Sequence, residues 1–437
     1  MPEQIEQLDA TRSVADHHAW FVGELDRLAS AVKLDPTHVP SGLLEIIANA
    51  RAHSEALVAN PLHREPIAVV GVDPRTAGMI EMHAALVQSA HAEAALAAPN
   101  NVPPKPDSWL QRLRDRIFGH AEPNAQRYGD FDVHWLEALA ERLTAKKAAF
   151  STAPPADLAI GAGKVRLAIV GDWGTGLPES DLIGTHMLAT DPDYTIHLGD
   201  VYYAGTVPEE ERYVELWPGA PGKSLSLNSN HEMYSGGHGY FEATLGSAKF
   251  ALQQHASYFV MRHEHFLIIG LDSAYYADDF LYQQGNLDDV QLRFVRELAA
   301  ANPTRNIVIL THHHGLDLDN APTRMWSQVL GAVGRPFLWV WGHIHAGVAH
   351  EPRPFPFPVF ARCVGHGGVP HSPFTAAEAA TYAWAETRLA DDRDEAKRAL
   401  NGFYTLEIDG ATLTERFIDE RGDETYSSVV FRGPPTR

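Results

Sequence analysis

Five short apolar runs, each followed within a few residues by a polar side chain, constrain the fold of this chain more than any other feature. The runs are rich in β-branched and large aliphatic residues, as expected of buried parallel strands, and span residues 165–170, 194–198, 225–227, 307–310 and 337–340. The polar residues that follow them are, in the same order, Asp172, Asp200, Asn230, His312 and the pair His343 and His345. Because loops after the carboxyl ends of parallel strands share one rim of a sheet, we expect these side chains to converge.

These side chains carry the oxygen and imidazole donors that bind hard metal ions. Hydrolysis of a phosphoester needs a nucleophile better than water and positive charge near the phosphoryl oxygens. Two cations about 3.5–4 Å apart supply both. A site for such a pair requires a bridging carboxylate surrounded by oxygen and imidazole ligands, and the five motifs contain that set. The sequence therefore predicts a two-metal phosphoester hydrolase.

Composition narrows the classes of partner and metal site. The formal net charge of −21 over 437 residues argues against nucleic acid as the main partner. A single cysteine, Cys363, excludes an internal disulfide, a thiolate metal cluster and a thiol redox pair. The apolar runs are shorter than the roughly 18 residues that cross a bilayer, and no membrane segment is expected. The N-terminal stretch MPEQIEQLDATRS lacks the features of a signal peptide, which predicts a cytoplasmic protein.

The pattern along the chain predicts two regions joined by a linker. Residues 1–150 show the apolar spacing of amphipathic helices, at 5–32, 41–59, 74–97, 108–118 and 134–150, and predict a helical N-terminal domain of unknown role. Residues 151–164 are rich in proline, glycine and alanine, as in a linker. From 165 to 437 strands alternate with helices such as 287–301, which indicates an α/β domain. Asp409-Gly410, between apolar runs at 403–408 and 412–418, predicts a β-hairpin.

The order of the five motifs carries a family resemblance. The motifs are Gly171-Asp172-Trp173-Gly174, Gly199-Asp200-Val201-Tyr202-Tyr203, Asn230-His231-Glu232, Thr311-His312-His313 and Gly342-His343-Ile344-His345. They resemble those of calcineurin-like metallophosphoesterases over about residues 165–368, which implies a four-layer α/β/β/α sandwich. Gly174 stands where many members have histidine, and Tyr203 follows Asp200 by three residues. That combination looks like purple acid phosphatases, whose tyrosine binds a ferric ion as a hard phenolate donor.

The resemblance implies two metal ions, Fe(III) and a divalent Fe, Zn or Mn ion. Carried over by motif, the ferric ligands would be Asp172, Asp200, Tyr203 and His345, and the divalent ligands Asp200, Asn230, His312 and His343. His231 resembles the family's substrate-facing imidazole, which stabilises the transition state or protonates the leaving alkoxide, with Glu232 as its orienting neighbour. The nucleophile would be a metal-bound hydroxide.

Two departures from the family pattern concern the ligands. Ser229 precedes Asn230 where the family usually has glycine, so this loop must form without glycine's freedom at positive φ. Two residues after His312 the chain has His314 where the family commonly has proline. His313 therefore stays open as an alternative ligand to His312.

Substrate contacts are less defined, because the further imidazoles of plant-type members have no counterpart in residues 315–324. His313 and His314 are candidates for that role, or else solvated loop residues. His366 lies in a glycine-rich turn and is another candidate, although turn geometry alone accounts for the glycines. Glu232 is also a candidate substrate contact, through its place beside His231.

The predicted activity is hydrolysis of a small phosphomonoester, of purple acid phosphatase type. One alternative keeps the site but acts on diesters, either cyclic nucleotides or glycerophosphodiesters. Another is a non-catalytic interaction module on the same fold, which is expected to lack ligands or the substrate-facing imidazole, whereas all these positions are filled here. A third is a dimanganese or iron–manganese centre that Tyr203 does not bind, since a reducing compartment works against ferric iron.

Overall fold

The computed structural model describes most of the chain after residue 143. The described residues are 14–34, scattered positions within 44–55 and 138–142, and then 144–151, 154–279, 281–354, 356–390 and 398–434. Two compact units are present, Met1–Thr144 with Arg393–Ala396, and Ala145–Asp392 with Lys397–Arg437. In the first unit, helix α1 spans Val14–Leu34, which confirms helix within the predicted stretch 5–32. The predicted helices at 74–97 and 108–118 lie outside the described residues.

The second unit contains two β-sheets and the helices that flank them. Its strands are β1 Ala156–Gly161, β2 Val165–Val170, β3 Tyr194–His197, β4 Ser224–Ser226, β5 Phe259–His263, β6 Phe266–Gly270, β7 Asn306–Thr311, β8 Phe337–Trp341, β9 Gly347–Ala349, β10 Val359–Val364, β11 Trp384–Ala385, β12 Gly402–Asp409, β13 Thr412–Asp419 and β14 Glu424–Arg432. Its helices are α2 Pro178–Ala189, α3 Val207–Leu216, α4 Asn230–Tyr234, α5 Asp289–Ala301, α6 Arg324–Val333 and α7 Ala376–Ala379. Gly239–Thr244 form a π-helix and Ala251–Gln253 a 3₁₀ helix. Among the described helices, none has the length and apolar character needed to cross a membrane.

The strand order places the predicted site at one end of both sheets. One sheet has the order β1-β5-β6-β7-β8-β10-β9-β11 and the other β14-β13-β12-β2-β3-β4. Strands β2, β3 and β4 pair in parallel, as do β6, β7, β8 and β10. Loops that leave the carboxyl ends of β2, β3 and β4 therefore meet loops that leave β7 and β8.

Three apolar layers join these elements. Between the sheets, side chains from both inner faces interlock, including Leu167, Ile196, Leu225, Ile268, Val308 and Leu406. Helices α5 and α6 pack on the outer face of the eight-stranded sheet through Leu292, Val295, Met325 and Val329. Helices α2 and α3 pack on the other outer face through Ile183, Met187 and Tyr213. This four-layer α/β/β/α arrangement confirms the predicted fold class.

Most of the predicted elements after residue 165 are present. Each of the five apolar runs is a strand, with ends shifted by one residue at most. The hairpin is confirmed by the pairing of Asp409 with Thr412, and Gly410 adopts the positive φ of 57° that the turn requires. Helix α5 begins after Asp288, whose carboxylate accepts hydrogen bonds from the N–H groups of Val290 and Gln291.

Two predictions near the start of this unit are wrong. The segment 151–164 is not a linker throughout, because β1 pairs in parallel with β5 and buries Ala156 and Ile160. The six-residue strand was not predicted, because the proline and glycine content of this segment is typical of a linker. The predicted helix 134–150 does not reach its expected end, since residues 145–150 are not helical. Phe150 instead packs on the rings of Tyr258 and Tyr275. The domain boundaries themselves stay predictions.

Candidate active site

The predicted metal ligands follow five strands drawn from both sheets. The residues are Asp172 after β2, Asp200 after β3, Asn230 after β4, His312 directly after β7, and His343 and His345 after β8. Three strands belong to the six-stranded sheet and two to the eight-stranded sheet. The side chains converge because the sheets pack face to face with these strand ends together.

One group of donors contains Asp172, Asp200 and His345, whose ligand atoms all lie within 4.8 Å of one another. His345 Nε2 is 3.5 Å from Asp172 Oδ1. That oxygen is buried and has no hydrogen-bond partner among the described residues, whereas Asp172 Oδ2 accepts from the N–H of His343 at 2.9 Å. Burial and the adjacent Asp200 raise the pKa of Asp172 well above its ordinary value. A cation at this group would satisfy the unpaired oxygen and offset the repulsion between the two carboxylates.

A second group forms around the oxygen of the Asn230 amide. Asn230 Oδ1 lies 2.8 Å from His312 Nε2 and 3.0 Å from His343 Nδ1. Asp200 Oδ1 lies 3.2 Å from His312 Nε2, so Asp200 reaches both groups, as its predicted bridging role requires. Burial lowers the pKa of His312 and of His343, which favours the neutral imidazole that binds metals.

His313 also lies close to His312 and His343, with its ligand atom within 4.8 Å of theirs. Its Nδ1 is 2.9 Å from Ser273 Oγ, and its Nε2 is 2.6 Å from the carbonyl of Tyr282. Both ring nitrogens of His313 therefore have a partner in the protein, whereas His312 Nε2 faces Asn230 and Asp200. This geometry favours His312 as the ligand, and the substrate contact of His313 stays a prediction.

Hydrogen bonds fix the orientation of the Asn230 amide. Asn230 Nδ2 donates to the hydroxyl of Tyr234 at 3.0 Å, and Gln283 Nε2 donates to the same hydroxyl at 2.9 Å. This directs Oδ1 of Asn230 towards the histidines. Tyr234 was not singled out in the sequence, although its position one helical turn after Asn230 places it on the same face of α4.

Three predicted ligands have unusual backbone conformations. Asp172, Asp200 and His343 have φ values of 58°, 78° and 66°, in the left-handed region that non-glycine residues seldom adopt. Such strain concentrates at functional sites. Ser229, in contrast, is extended at φ −135°, so this loop does not require glycine. Ser229 Oγ caps α4 by accepting from the N–H of His231.

His231 lies beside the ligands, as predicted. Its Nδ1 is 2.8 Å from the carbonyl of Tyr203, and its Nε2 is 3.6 Å from Asp200 Oδ2. The carbonyl can only accept a hydrogen bond, so Nδ1 carries the proton there and Nε2 is the atom that faces the site. The ring lies between those of Tyr202 and Tyr234, with centroids 4.2 and 5.0 Å away.

Two further candidate substrate contacts, Glu232 and His366, are buried, and their substrate role stays a prediction. The Glu232 carboxylate accepts from the N–H of Asp200 at 3.1 Å and from the hydroxyl of Ser229, and so supports the ligand loop. His366 lies against Gly347 and Gly402, where a Cβ would approach its Nε2 to 2.6 and 2.7 Å, so both glycines make room for this ring.

His314 stays a prediction as a substrate contact. Its ring stacks on that of His343, with centroids 5.3 Å apart, and its side chain is 13% exposed. Its Nε2 lies 2.8 Å from Asp317 Oδ1, which orients the ring. His314 is therefore at the edge of the second group of donors.

The hydroxyl of Tyr202 lies among the first group of donors. It donates to Asp200 Oδ2 at 3.1 Å and lies 2.7 Å from His345 Nε2. Tyr203, the predicted ligand, is also buried; its N–H donates to Glu209 at 2.7 Å and its carbonyl contacts His231. The ligand role of Tyr203 stays a prediction. Tyr202 was not singled out in the sequence, because motif spacing favoured the other of two adjacent tyrosines.

The single cysteine is near the site but is not a ligand. Cys363 is buried, and its thiol hydrogen-bonds to the carbonyl of Ile344 at 3.3 Å. Burial raises the pKa of this thiol to about 12, so it stays protonated. The donors that remain are carboxylates, an amide, imidazoles and a phenol, a set that fits two hard or borderline cations.

Comparison with known proteins agrees with this site. Residues 165–347 match the family model for calcineurin-like phosphoesterases, a range that includes every predicted ligand. These residues form a calcineurin-like phosphoesterase domain. The predicted superfamily is thereby confirmed, as is the assignment of the chain as a metal-dependent phosphoester hydrolase. The match is to the superfamily as a whole and does not separate purple acid phosphatases from its other members.

Similar solved structures include GAP50, the anchor in the inner membrane complex of Plasmodium, at 10% identity and a TM-score of 0.42, covering 63% of this chain and 90% of that one. Yfce, a phosphoesterase from E. coli, has 13% identity and a TM-score of 0.29, covering 61% and 99%. Vacuolar Protein Sorting 29 from Cryptosporidium parvum has 13% identity and a TM-score of 0.29, covering 62% and 100%. These scores carry no argument about activity. A search of curated proteins finds no match.

Proposed function

We propose that this domain hydrolyses phosphomonoesters with a centre of purple acid phosphatase type. The observation that carries the proposal is a phenol oxygen, that of Tyr202, placed 3.1 Å from Asp200 Oδ2 and 2.7 Å from His345 Nε2. A phenolate is a hard anionic donor that favours a trivalent ion. Such a donor among Asp172, Asp200 and His345 supports Fe(III) at the first group, paired with a divalent Fe, Zn or Mn ion at the second.

The residues around the two groups each have a defined part in the reaction. When bound, the two cations supply an activated water and positive charge towards the phosphoryl oxygens. Asp200 holds the groups together, since it is shared between them. His231 presents Nε2 to the same region. Because Nδ1 already donates its proton to the Tyr203 carbonyl, Nε2 passes a proton to the leaving alkoxide from the doubly protonated imidazolium.

Burial of His231 supports this role. Its side chain is 4% exposed, and the Tyr203 carbonyl and the rings of Tyr202 and Tyr234 fix its orientation. A fixed imidazole keeps Nε2 aimed at the reacting group without the loss of entropy that a mobile side chain would incur. We propose that His314, which is 13% exposed at the edge of the site, contacts the organic part of a small substrate.

The charge of the chain favours a small substrate over a polymeric one. A net charge of −21 repels extended polyanions, while the cations of the centre attract a single phosphate group locally. We therefore propose a small phosphoester as the substrate and no role in nucleic-acid binding.

Turnover of model esters tests the proposal. The full chain, loaded with iron together with zinc or manganese, is assayed with p-nitrophenyl phosphate and with bis(p-nitrophenyl) phosphate. We expect faster hydrolysis of the monoester, and a loss of roughly 100-fold or more in kcat for Asn230→Ala and His231→Ala. His265→Ala, a partly exposed histidine between β5 and β6, is the matched control and should leave turnover unchanged.

The other outcomes select among the alternatives. Preference for the diester would replace the proposal with the phosphodiesterase. Absence of turnover on both esters in a fully metallated protein would favour the interaction module. Equal loss of activity in the His265→Ala control would show that the assay reports folding and not the site.

A further inference from the structure

We propose that the loop between β6 and α5 sets how tightly the second group of donors binds its cation, with Gln283 as the positioning residue. The second group contains Asn230, His312 and His343. The loop, called here the β6–α5 loop, comprises the described residues 271–279 and 281–288, and it carries none of the five motifs. This inference rests on the proposed function, because it requires a metal ion at the second group.

The first contact of the loop runs from Gln283 through Tyr234 to Asn230. Gln283 Nε2 lies 2.9 Å from the Tyr234 hydroxyl and 3.3 Å from the carbonyl of Leu281. A carbonyl can only accept a hydrogen bond, so the nitrogen of the Gln283 amide is the atom that faces Tyr234. The Tyr234 oxygen also accepts from Asn230 Nδ2 at 3.0 Å. Gln283 therefore holds the phenol where it engages the nitrogen of the ligand amide.

This contact matters because an amide can present either of two atoms to a cation. The oxygen of Asn230 can bind a metal ion, whereas its NH₂ group is a donor and cannot. Rotation of the amide would replace the one by the other. The Tyr234 side chain is 4% exposed, so water has little access to the phenol that fixes this rotation. The position of the phenol oxygen thus decides how often Asn230 is ready to bind.

A second contact of the loop encloses the residue after His312. His313 Nδ1 lies 2.9 Å from Ser273 Oγ, and its Nε2 lies 2.6 Å from the carbonyl of Tyr282. The N–H of His313 donates to the same Ser273 hydroxyl at 3.1 Å. At Gly285 a Cβ would lie 2.4 Å from the Cβ of His313, so the loop backbone approaches as closely as a glycine allows. The loop therefore fixes the chain on both the Asn230 and the His312 sides of the second group.

The loop is itself anchored away from the site. Asp279 Oδ1 accepts from the N–H of Gln283 at 2.8 Å, which sets the backbone that carries this side chain. Asn286 Nδ2 donates to the carbonyl of Tyr276, and Asn286 Oδ1 accepts from Gln328 of α6 at 2.9 Å. These bonds make the loop a fixed support, and a fixed support reduces the entropy that metal binding would otherwise cost.

The first group of donors is held from other parts of the chain. Asp172 Oδ2 accepts from the N–H of His343, and Asp200 Oδ2 accepts from the hydroxyl of Tyr202. Loss of the contacts of the β6–α5 loop should therefore weaken the second group selectively. A general loss of structure would weaken both groups, so the selectivity distinguishes positioning from folding.

Zinc titration of the metal-free full chain tests the inference. Competition with a chromophoric chelator gives two dissociation constants per chain. Asn230→Ala and His345→Ala assign them, since each variant removes a candidate ligand from one group only. The test variants are Gln283→Met, which keeps the length of the side chain without its N–H groups, Tyr234→Phe, and the two combined. Gln284→Met, at the exposed neighbouring position, is the matched control.

We expect Tyr234→Phe to weaken zinc binding at the second group by about tenfold or more, and Gln283→Met by about three- to tenfold. The combined variant should be no weaker than Tyr234→Phe alone, because Gln283 acts through that phenol oxygen. Binding at the first group, and both constants of Gln284→Met, should stay within about twofold of wild type. Far-UV circular dichroism of the metal-free variants should match that of wild type.

Three results would overturn the inference. One is an unchanged second constant in Gln283→Met. Another is equal weakening of both constants, which would indicate a structural role. The third is an effect of the combined variant equal to the product of the two single effects, which would show that Gln283 does not act through Tyr234.

Turnover of p-nitrophenyl phosphate separates this failure from failure of the proposed function. At limiting zinc, Gln283→Met should turn over more slowly than wild type, and excess zinc should restore its rate to within about twofold. Wild-type turnover with no change of either constant in Gln283→Met would remove the positioning role but leave the hydrolase. A selective loss of zinc at the second group, without turnover in wild type, would support the positioning role but remove the proposed activity.

Discussion

Two clusters of buried charged residues in the same domain differ in how their charge is neutralised. Between the sheets, Arg362 of β10 forms a two-pronged ion pair with Glu415 of β13, with distances of 2.7 and 2.8 Å. At the strand ends, Asp172 and Asp200 are equally buried, but burial lowers the pKa of the nearby His312 and His343 and so disfavours a balancing positive charge on them. The first cluster is complete within the protein, while the second has an excess of negative charge. Unbalanced buried charge therefore marks the place where the protein takes a ligand from solution.

The pKa shifts show the same contrast. Burial alone would lower the pKa of Arg362, yet the charge of Glu415 holds it above its ordinary value. At the other cluster, burial raises the pKa of Asp172 and the neighbouring Asp200 raises it further, so partner and burial act in the same direction. Glu210 shows a third way in which a buried charge is removed. Its carboxyl is hydrogen-bonded to the Thr244 hydroxyl, and burial raises its pKa to about 8. A bound proton therefore makes this side chain neutral.

Substitution of Asp200 by asparagine should have the largest effect, because it removes the charge shared by both groups. We expect kcat on p-nitrophenyl phosphate to fall by roughly 10³-fold or more, equivalent to about 4 kcal/mol of transition-state stabilisation. Elemental analysis should show fewer than two metals per chain. Asp181→Asn, an exposed change on α2, is the control. Retention of two metals and full turnover would contradict the bridging role.

Breaking the ion pair between Arg362 and Glu415 tests whether each charge neutralises the other inside the protein. Arg362→Met or Glu415→Leu alone should lower the free energy of unfolding by about 3–5 kcal/mol, since each leaves an unpaired buried charge. The double variant, Arg362→Met with Glu415→Leu, should lose much less than the sum of the two single variants. Urea unfolding measures all three. A double variant as unstable as the sum would show that the two residues act independently.

Metal binding should stabilise the folded protein through the carboxylates and imidazoles at the strand ends, and independently of the Arg362–Glu415 ion pair. At a free metal concentration of 100 times Kd, each site is expected to add about 2.7 kcal/mol to the free energy of unfolding. Thermal unfolding with zinc or manganese, and again after a chelator, measures this shift. The gain should disappear in Asp200→Asn but persist in the double variant of the ion pair. An equal gain in wild type and Asp200→Asn would indicate that the metal binds elsewhere.

The protonated carboxyl at Glu210 predicts a smaller, pH-dependent effect. Its pKa is higher in the folded protein than the ordinary 4.5, so its contribution to stability is complete below about pH 4.5 and is lost as pH rises towards 8. Across that window each pH unit should lower the free energy of unfolding by about 1.4 kcal/mol relative to Glu210→Gln. Glu211→Gln, an exposed neighbour, should follow wild type. Parallel profiles for wild type and Glu210→Gln would show that Glu210 is ionised when folded.

The convergence of the candidate ligands could be predicted from sequence because each signal is local. Asp172 and His312 lie within two residues of the ends of buried strands, and a strand with a polar residue at its end is visible in about eight residues. The hairpin at Asp409-Gly410 is local in the same way. These features depend on the chain near them and not on which strands pair.

Features that depend on packing between distant residues could not be predicted. Arg362 and Glu415 lie on different sheets, 53 positions apart, and nothing near either residue indicates its partner. The contacts of the Tyr202 hydroxyl with Asp200 and His345 depend on how the loop after Asp200 leaves its strand. Glu232 was expected to face substrate because of its place beside His231, but α4 turns its side chain behind Asp200.

The position of the ion pair limits how far one sheet can be displaced along the other. Arg362 lies on β10, the direct neighbour of β8, and Glu415 lies on β13, which is separated from β2 by β12 alone. A shift of one sheet along the other by one residue is about 3.3 Å. Such a shift would separate the candidate ligands, whose distances to a metal ion must be correct to within a few tenths of an ångström. The ion pair thus contributes, with the apolar core, to the alignment of the two sheets that carry the candidate ligands. Residues that touch no ligand thereby help determine which ions fit.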